Sequence, residues 1–178
     1  MLEPMTVRAE VWPVAADATG LWLLSGDDAW RSDAVMADAS VHGEVELLLY
    51  REGIEHGAAL LHSTSWRADG TSVVLTYMAV VSVRGLVRVR FPAALPITLD
   101  VARAVGKPPG HAANEVPEPR YIDVLMHGLR HLRFLQNTDA TSRAAMGAHW
   151  RRELWSFKPA LAGMYEDLHE PTIISEAG

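Results

Sequence analysis

The dipeptide Asp69-Gly70, set between the β-rich runs Ala59–Arg67 and Ser72–Val83, constrains this chain more than any other feature. Asp-Gly readily takes the left-handed backbone of a tight hairpin turn, and the second run is rich in Val, Thr and Tyr, which suit a pleated surface. Ahead of the hairpin, the apolar positions Val45, Leu48 and Leu49 recur at helical spacing, and Gly53 stands where a left-handed residue closes a helix. A helix over 40–52 that feeds an antiparallel strand pair excludes an all-helical fold. It predicts the α/β (α+β) class, a mixed sheet with one inserted helix.

The flanks extend this pattern. Arg8–Ala15 alternates like a strand, with Val11, Pro13 and Ala15 on one side and Trp12 and Val14 on the other. Asp17-Ala18-Thr19-Gly20 supplies a turn, and Leu21–Leu24 runs back as a second strand. Residues 27–38 are polar and irregular. After the Arg84-Gly85 turn, Val87–Phe91 reads as a further strand. The proline-rich stretch that follows, which includes Pro108-Pro109, has the composition of a long surface connection, with Leu99–Val105 its one short helix.

The last third is helical in pattern. Pro119 suits a first turn, and Ile122, Leu125, Met126, Leu129 and Leu132 form an apolar stripe over 119–136. Asn137-Thr138-Asp139 interrupts it, and Thr138 or Asp139 caps a second helix from Ala140 to about Trp155. A third is expected from Pro159 to Asp167 or Leu168. One domain over 1–178 is expected: a sheet-and-helix core at 8–91, a connection at 92–118 and C-terminal helices at 119–168. The helical piece has wide apolar faces and is small enough that packing on the sheet is favoured over folding alone.

Composition narrows the function. A net charge of −6 argues against a nucleic-acid partner, since Arg84, Arg88 and Arg90, Arg130 and Arg133, and Arg151-Arg152 are scattered through an acidic chain. The absence of cysteine removes disulfides, thiolate catalysis and sulfur-ligated zinc. Neither a signal peptide nor a membrane span is expected, and the reading is a cytoplasmic protein. No Gly-x-Ser-x-Gly elbow and no complete Walker or Rossmann pattern occurs.

The strand pair, the irregular 27–38 loop, the helix ending Gly53-Ile54 and the hairpin together resemble the core of the Nudix fold over Arg8–Val89. In that family a helix carries metal-binding glutamates ahead of a closing glycine and an aliphatic residue. Anchored on Gly53-Ile54, the family's box puts Ser32 at its opening glycine and Asp38 at its first glutamate. Glu46-Leu47 falls at the Arg-Glu pair and Tyr50-Arg51 at the Glu-Glu pair. Magnesium takes oxygen ligands; Leu47 supplies none, Tyr50 is a poor one and Arg51 repels the ion. The resemblance therefore implies a Nudix-like scaffold with a degenerate box. The phrases His62-Ser63-Thr64-Ser65-Trp66 and His127–Leu132 also resemble an uncharacterised actinobacterial family, which implies no function.

Two constellations remain. His62, Thr64 and Trp66 are expected on one face of their strand, beside Thr76 and Tyr77, as a hydrogen-bonding and stacking surface for a ligand; the plain alternative is a solvent-facing strand side. His127 and His131, with His149 and Glu153 at the same i,i+4 spacing on the next helix, form a possible metal set. The neighbouring arginines oppose a cation, so surface or interface histidines are the favoured reading, and no cofactor is expected.

The function expected is non-catalytic or regulatory binding of a small ligand, possibly nucleotide-derived, near the sheet and the 27–38 loop. A divergent magnesium-dependent hydrolase using Asp38, Glu44 and Glu46 with loop residues from 107–118 is the enzyme alternative. A homo-oligomeric structural protein assembled through the C-terminal helices is the third.

Overall fold

The computed structural model describes residues 5–36, 40–98 and 121–161. The chain divides into two compact units, residues 1–96 and 97–178. The first unit is built on one long strand, β1 (Thr6–Asp17). Along one edge β1 pairs in parallel with β6 (Ser72–Val81), from Thr6 opposite Ser72 to Ala15 opposite Val81. Along the other edge it is met by three antiparallel segments in turn. These are β2 (Gly20–Leu23), β3 (Trp30–Arg31) and β4 (Val35–Met36). With β5 (Leu60–Asp69) and β7 (Leu95–Ile97), the sheet runs β5-β6-β1-β2-β7, with β3 and β4 also on β1.

The 27–36 part of the 27–38 segment is thus less irregular than its composition predicts. A buried strand edge must have its N–H and C=O groups satisfied, and a polar loop laid along β1 does this. Besides the β3 and β4 pairs, Ser32 N–H donates to the Ala9 carbonyl at 2.9 Å and Ala9 N–H donates to Ser32 Oγ at 2.9 Å.

The expected helix is present as α1 (Val41–Arg51), with the Ser40 hydroxyl accepting from Gly43 N–H at its start. Gly53 has φ +85°, the left-handed closure its position calls for. Val45, Leu48 and Leu49 pack onto the sheet face that carries Ala9, Val11, Ala15, Tyr77, Ala79 and Val81. Trp12, Val14, Leu23, Met78 and Val80 alternate with these and are buried too. The β5–β6 hairpin forms around Asp69-Gly70 as expected, from Leu60 opposite Val80 to Asp69 opposite Ser72.

Val87–Phe91 is not a strand. It begins with a short helix, α2 (Val87–Arg90), whose first N–H is bonded by a residue far away in sequence. Asp17, at the end of β1, is only 5% exposed. Its Oδ1 accepts from Thr19 N–H at 2.7 Å, Thr19 Oγ1 at 2.6 Å and Trp22 Nε1 at 3.1 Å; its Oδ2 accepts from Val87 N–H at 2.8 Å. One carboxylate thereby closes the β1–β2 turn and caps the first turn of α2. Burial raises the pKa of Asp17, but the hydrogen bonds from Thr19, Val87 and Trp22 outweigh it and hold the group at about 2, below its ordinary 3.8. The alternation of Val87 and Val89 that suggests a strand instead leaves Val87 buried and Val89 79% exposed.

In the second unit, α3 (Tyr121–Thr138) and α4 (Ala140–Glu153) are joined by Asp139, whose carboxylate accepts from Thr141 and Ser142 N–H as the α4 cap. The helix expected from Ala140 to about Trp155 is present but broken: Gly147 has φ +77° and ψ −178° inside it. Leu125, Met126, Leu129 and Leu132 of α3 are buried, as are Met146, Trp150, Leu154 and Phe157. The segment after α4 returns along α3, with Arg130 Nε donating to the Lys158 carbonyl at 3.1 Å and Ala160 N–H donating to the Arg130 carbonyl at 3.2 Å. Of the helix expected from Pro159, residues 159–161 are irregular and the rest lies outside the described residues, as does Leu99–Val105. Among the described residues, no helix is long and apolar enough to cross a membrane.

Candidate functional site

The expected ligand face on β5 does not form, because the pleat is interrupted. His62 stands opposite Met78 and Ser63 opposite Tyr77, but the register then shifts, so that Ser65 stands opposite Thr76 and Trp66 opposite Leu75. Opposed residues share a side of the sheet, so the extra residue at this bulge sends Trp66 to the side of Tyr77 and leaves His62 on the side of Met78. Thr64, at the bulge, is buried and donates from Oγ1 to the Thr76 carbonyl at 3.4 Å. Tyr77 is buried in the core against α1, where burial raises its pKa, and Trp66 is 70% exposed. His62 is half-buried, and burial lowers its pKa.

On α1, Leu47 and Tyr50 face solvent, and Arg51 pairs with Asp33 at 3.7 Å. Glu46 turns to His42 at 3.7 Å, while Glu44 sits in the first turn and Glu52 just past the last. These acids do not converge, and Asp38 and the 107–118 loop lie outside the described residues. Among the described residues, no three His, Asp or Glu side chains are placed to hold a metal ion.

The C-terminal set is likewise dispersed. His131 is buried, its Nδ1 3.4 Å from the Ala160 carbonyl and its ring stacked on Phe134 with centroids 6.0 Å apart, so it is neither a surface nor an interface histidine. His127 is half-buried, and burial, then the nearby Arg130 charge, lowers its pKa. His149 is exposed and Glu153 accepts from Arg152 Nε at 2.6 Å.

What the sheet does assemble is a charged cluster around Glu10, in the middle of β1. Glu10 is 3% exposed, and its Oε2 is bound by Arg67 Nη2 from β5. Arg31, opposite Glu10 on β3, brings its Nε to 3.9 Å from the same oxygen. Arg31 also holds Asp28 with both Nη atoms, at 2.7 and 2.9 Å, and the Arg31 hydrogen bond is the main reason that the Asp28 pKa is lowered. By register, Thr76 lies beside Glu10 and Val74 beside both Arg8 and Arg67, so one sheet side gathers Arg8, Glu10, Arg31 and Arg67 next to residues 27–36. The carboxylate is shielded, whereas both guanidinium groups that hold it remain partly open to solvent. Such an arrangement holds two planar guanidinium groups in place around one shielded carboxylate. Glu10 carried a signal in the sequence: it is an acid set between Ala9 and Val11 in a mostly apolar strand. Arg31 and Arg67 carried none.

Comparison of the chain with protein-family models, with curated proteins and with solved structures finds no match.

Proposed function

We propose that this chain is a non-catalytic or regulatory protein that binds a small anionic ligand, nucleotide-derived in the favoured case, on a Nudix-like scaffold. The observation that supports this most is the Glu10 cluster. Two partly exposed arginines are oriented by a buried carboxylate at the polar end of one sheet side, next to the loop where a ligand was expected. Arg31 contacts both the buried Glu10 and the exposed Asp28, and the Asp28 carboxylate marks a position that a ligand phosphate would take. The non-catalytic reading is supported by Leu47, Tyr50 and Arg51 at the helix positions where a magnesium site needs carboxylates.

The test is calorimetric titration with nucleoside mono- and diphosphates. One or more should bind with a dissociation constant below about 1 mM, and Arg31→Gln and Arg67→Gln should each weaken that binding about tenfold. Binding that is unchanged in both variants would refute the assignment of the site. Magnesium-dependent turnover at about 1 s⁻¹ or faster, lost on chelation, would refute the non-catalytic reading.

A further inference from the structure

Among the described residues, Arg133 on α3 is a buried cation without a counter-ion. It is 8% exposed, and among the described residues no Asp or Glu pairs with it. Its Nη1 donates to Gln136 Oε1 at 2.7 Å. Among the described residues, its buried Nε has no hydrogen-bond partner and no acceptor meets Nη2 either. Nε–H and Nη2–H form the edge of a guanidinium that presents two parallel donors to a planar oxyanion. One face of the group is covered by Trp155, whose ring centroid is 5.0 Å from the guanidinium carbon and which is itself 64% exposed. Burial lowers the Arg133 pKa, the mark of a cation held away from water. Arginine stays protonated in proteins, so the group cannot relieve this by neutralising.

We propose that the Nε/Nη2 edge of Arg133 is a binding site for a small organic carboxylate, with Trp155 as the aromatic wall beside it. The geometry favours a carboxylate over phosphate. One guanidinium edge matches a planar monoanion, whereas a phosphate dianion calls for a second cation. The nearest candidate on α3, Arg130, already spends its Nε on the Lys158 carbonyl. Gln136 fixes the orientation of the fork from the far side. This site lies in the second unit and does not depend on the role of the Glu10 cluster.

The test uses the full chain, with acetate and benzoate as probes and phosphate as the comparator, followed through the Nε–H resonance of Arg133 in nitrogen-labelled protein. Benzoate should move that resonance saturably, and acetate more weakly because it lacks a ring to stack on Trp155. Arg133→Gln should abolish binding seen by calorimetry. Arg133→Lys should weaken it about tenfold, since an ammonium lacks the fork. Trp155→Leu should remove the preference for benzoate while leaving the acetate response, which keeps the proposal testable if the Arg133 variants do not fold. A resonance that does not move with either carboxylate would overturn the proposal. Phosphate acting as strongly as benzoate, or equal binding by Arg133→Gln, would overturn it as well.

Discussion

Replacing Asp17 with asparagine tests whether one carboxylate joins the β1–β2 turn to α2. The substitution keeps the shape of the side chain and one acceptor oxygen but removes the charge, and its new amide N–H₂ faces donors where Oδ2 or Oδ1 faced them before. In the native protein the hydrogen bonds depress the pKa from 3.8 to about 2 against the opposing effect of burial. A drop of that size corresponds to about 2 kcal/mol of preferential interaction with the charged form. The sign follows from the depressed pKa. The contribution is complete above the unfolded-state value near 3.8, falls as the pH drops below it and is gone once the native carboxylate is protonated near pH 2. Urea denaturation of both proteins across this range measures it. Asp17→Asn should be less stable by about 2 kcal/mol near neutrality, with the gap closing as the pH approaches about 2. A gap that does not change with pH, or one below about 0.5 kcal/mol at neutrality, would refute the argument that the charge on Asp17 holds these elements together.

Three further outcomes are expected. Leu49→Ala, which empties a fully buried position between α1 and the sheet, should cost about 2–5 kcal/mol by denaturant titration. Gly147→Ala should destabilise by about 1 kcal/mol or more, because the added Cβ meets no neighbour but must accept φ +77°; a stabilised variant would show that the break in α4 is not held in solution. Glu10→Gln should cost about 1–3 kcal/mol, less than a sealed ion pair because Arg31 and Arg67 can turn to water, and its effect should persist in high salt because the carboxylate itself is shielded.

The elements that were legible in the sequence are those written in neighbouring residues. Ser40, Val45, Leu48, Leu49 and Gly53 mark α1 from cap to closure, and Asp69-Gly70 marks the hairpin, because turn and helix signals act within a few positions. The parallel pairing of β1 with β6 was not legible, since it joins residues 66 positions apart through backbone groups that every residue carries. The helix at Val87 was hidden for a related reason: the carboxylate that accepts from its first N–H lies on Asp17, 70 positions away. The ligand face drawn from His62, Thr64 and Trp66 assumed an unbroken alternation, and the bulge at Thr64 breaks it without a residue type that announces it. The charged cluster was half visible. Glu10 is an acid inside a mostly apolar strand, a signal the sequence holds, but its partners arrive from β3 and β5 by tertiary packing alone.

The two-sided pairing of β1 has a consequence for how the chain is made. The segments that cover one edge of β1 are all synthesised by Met36, whereas β6, which covers the other, is complete only at Val81. At about 5–20 residues per second, a nascent chain holds the strand containing Val7, Ala9 and Val11 with one edge open for several seconds. An open apolar edge is a template for pairing with other chains. The period of greatest aggregation risk for this fold therefore falls during translation, and an early helper that shields the first twenty residues should raise the yield of folded protein more than one acting after release.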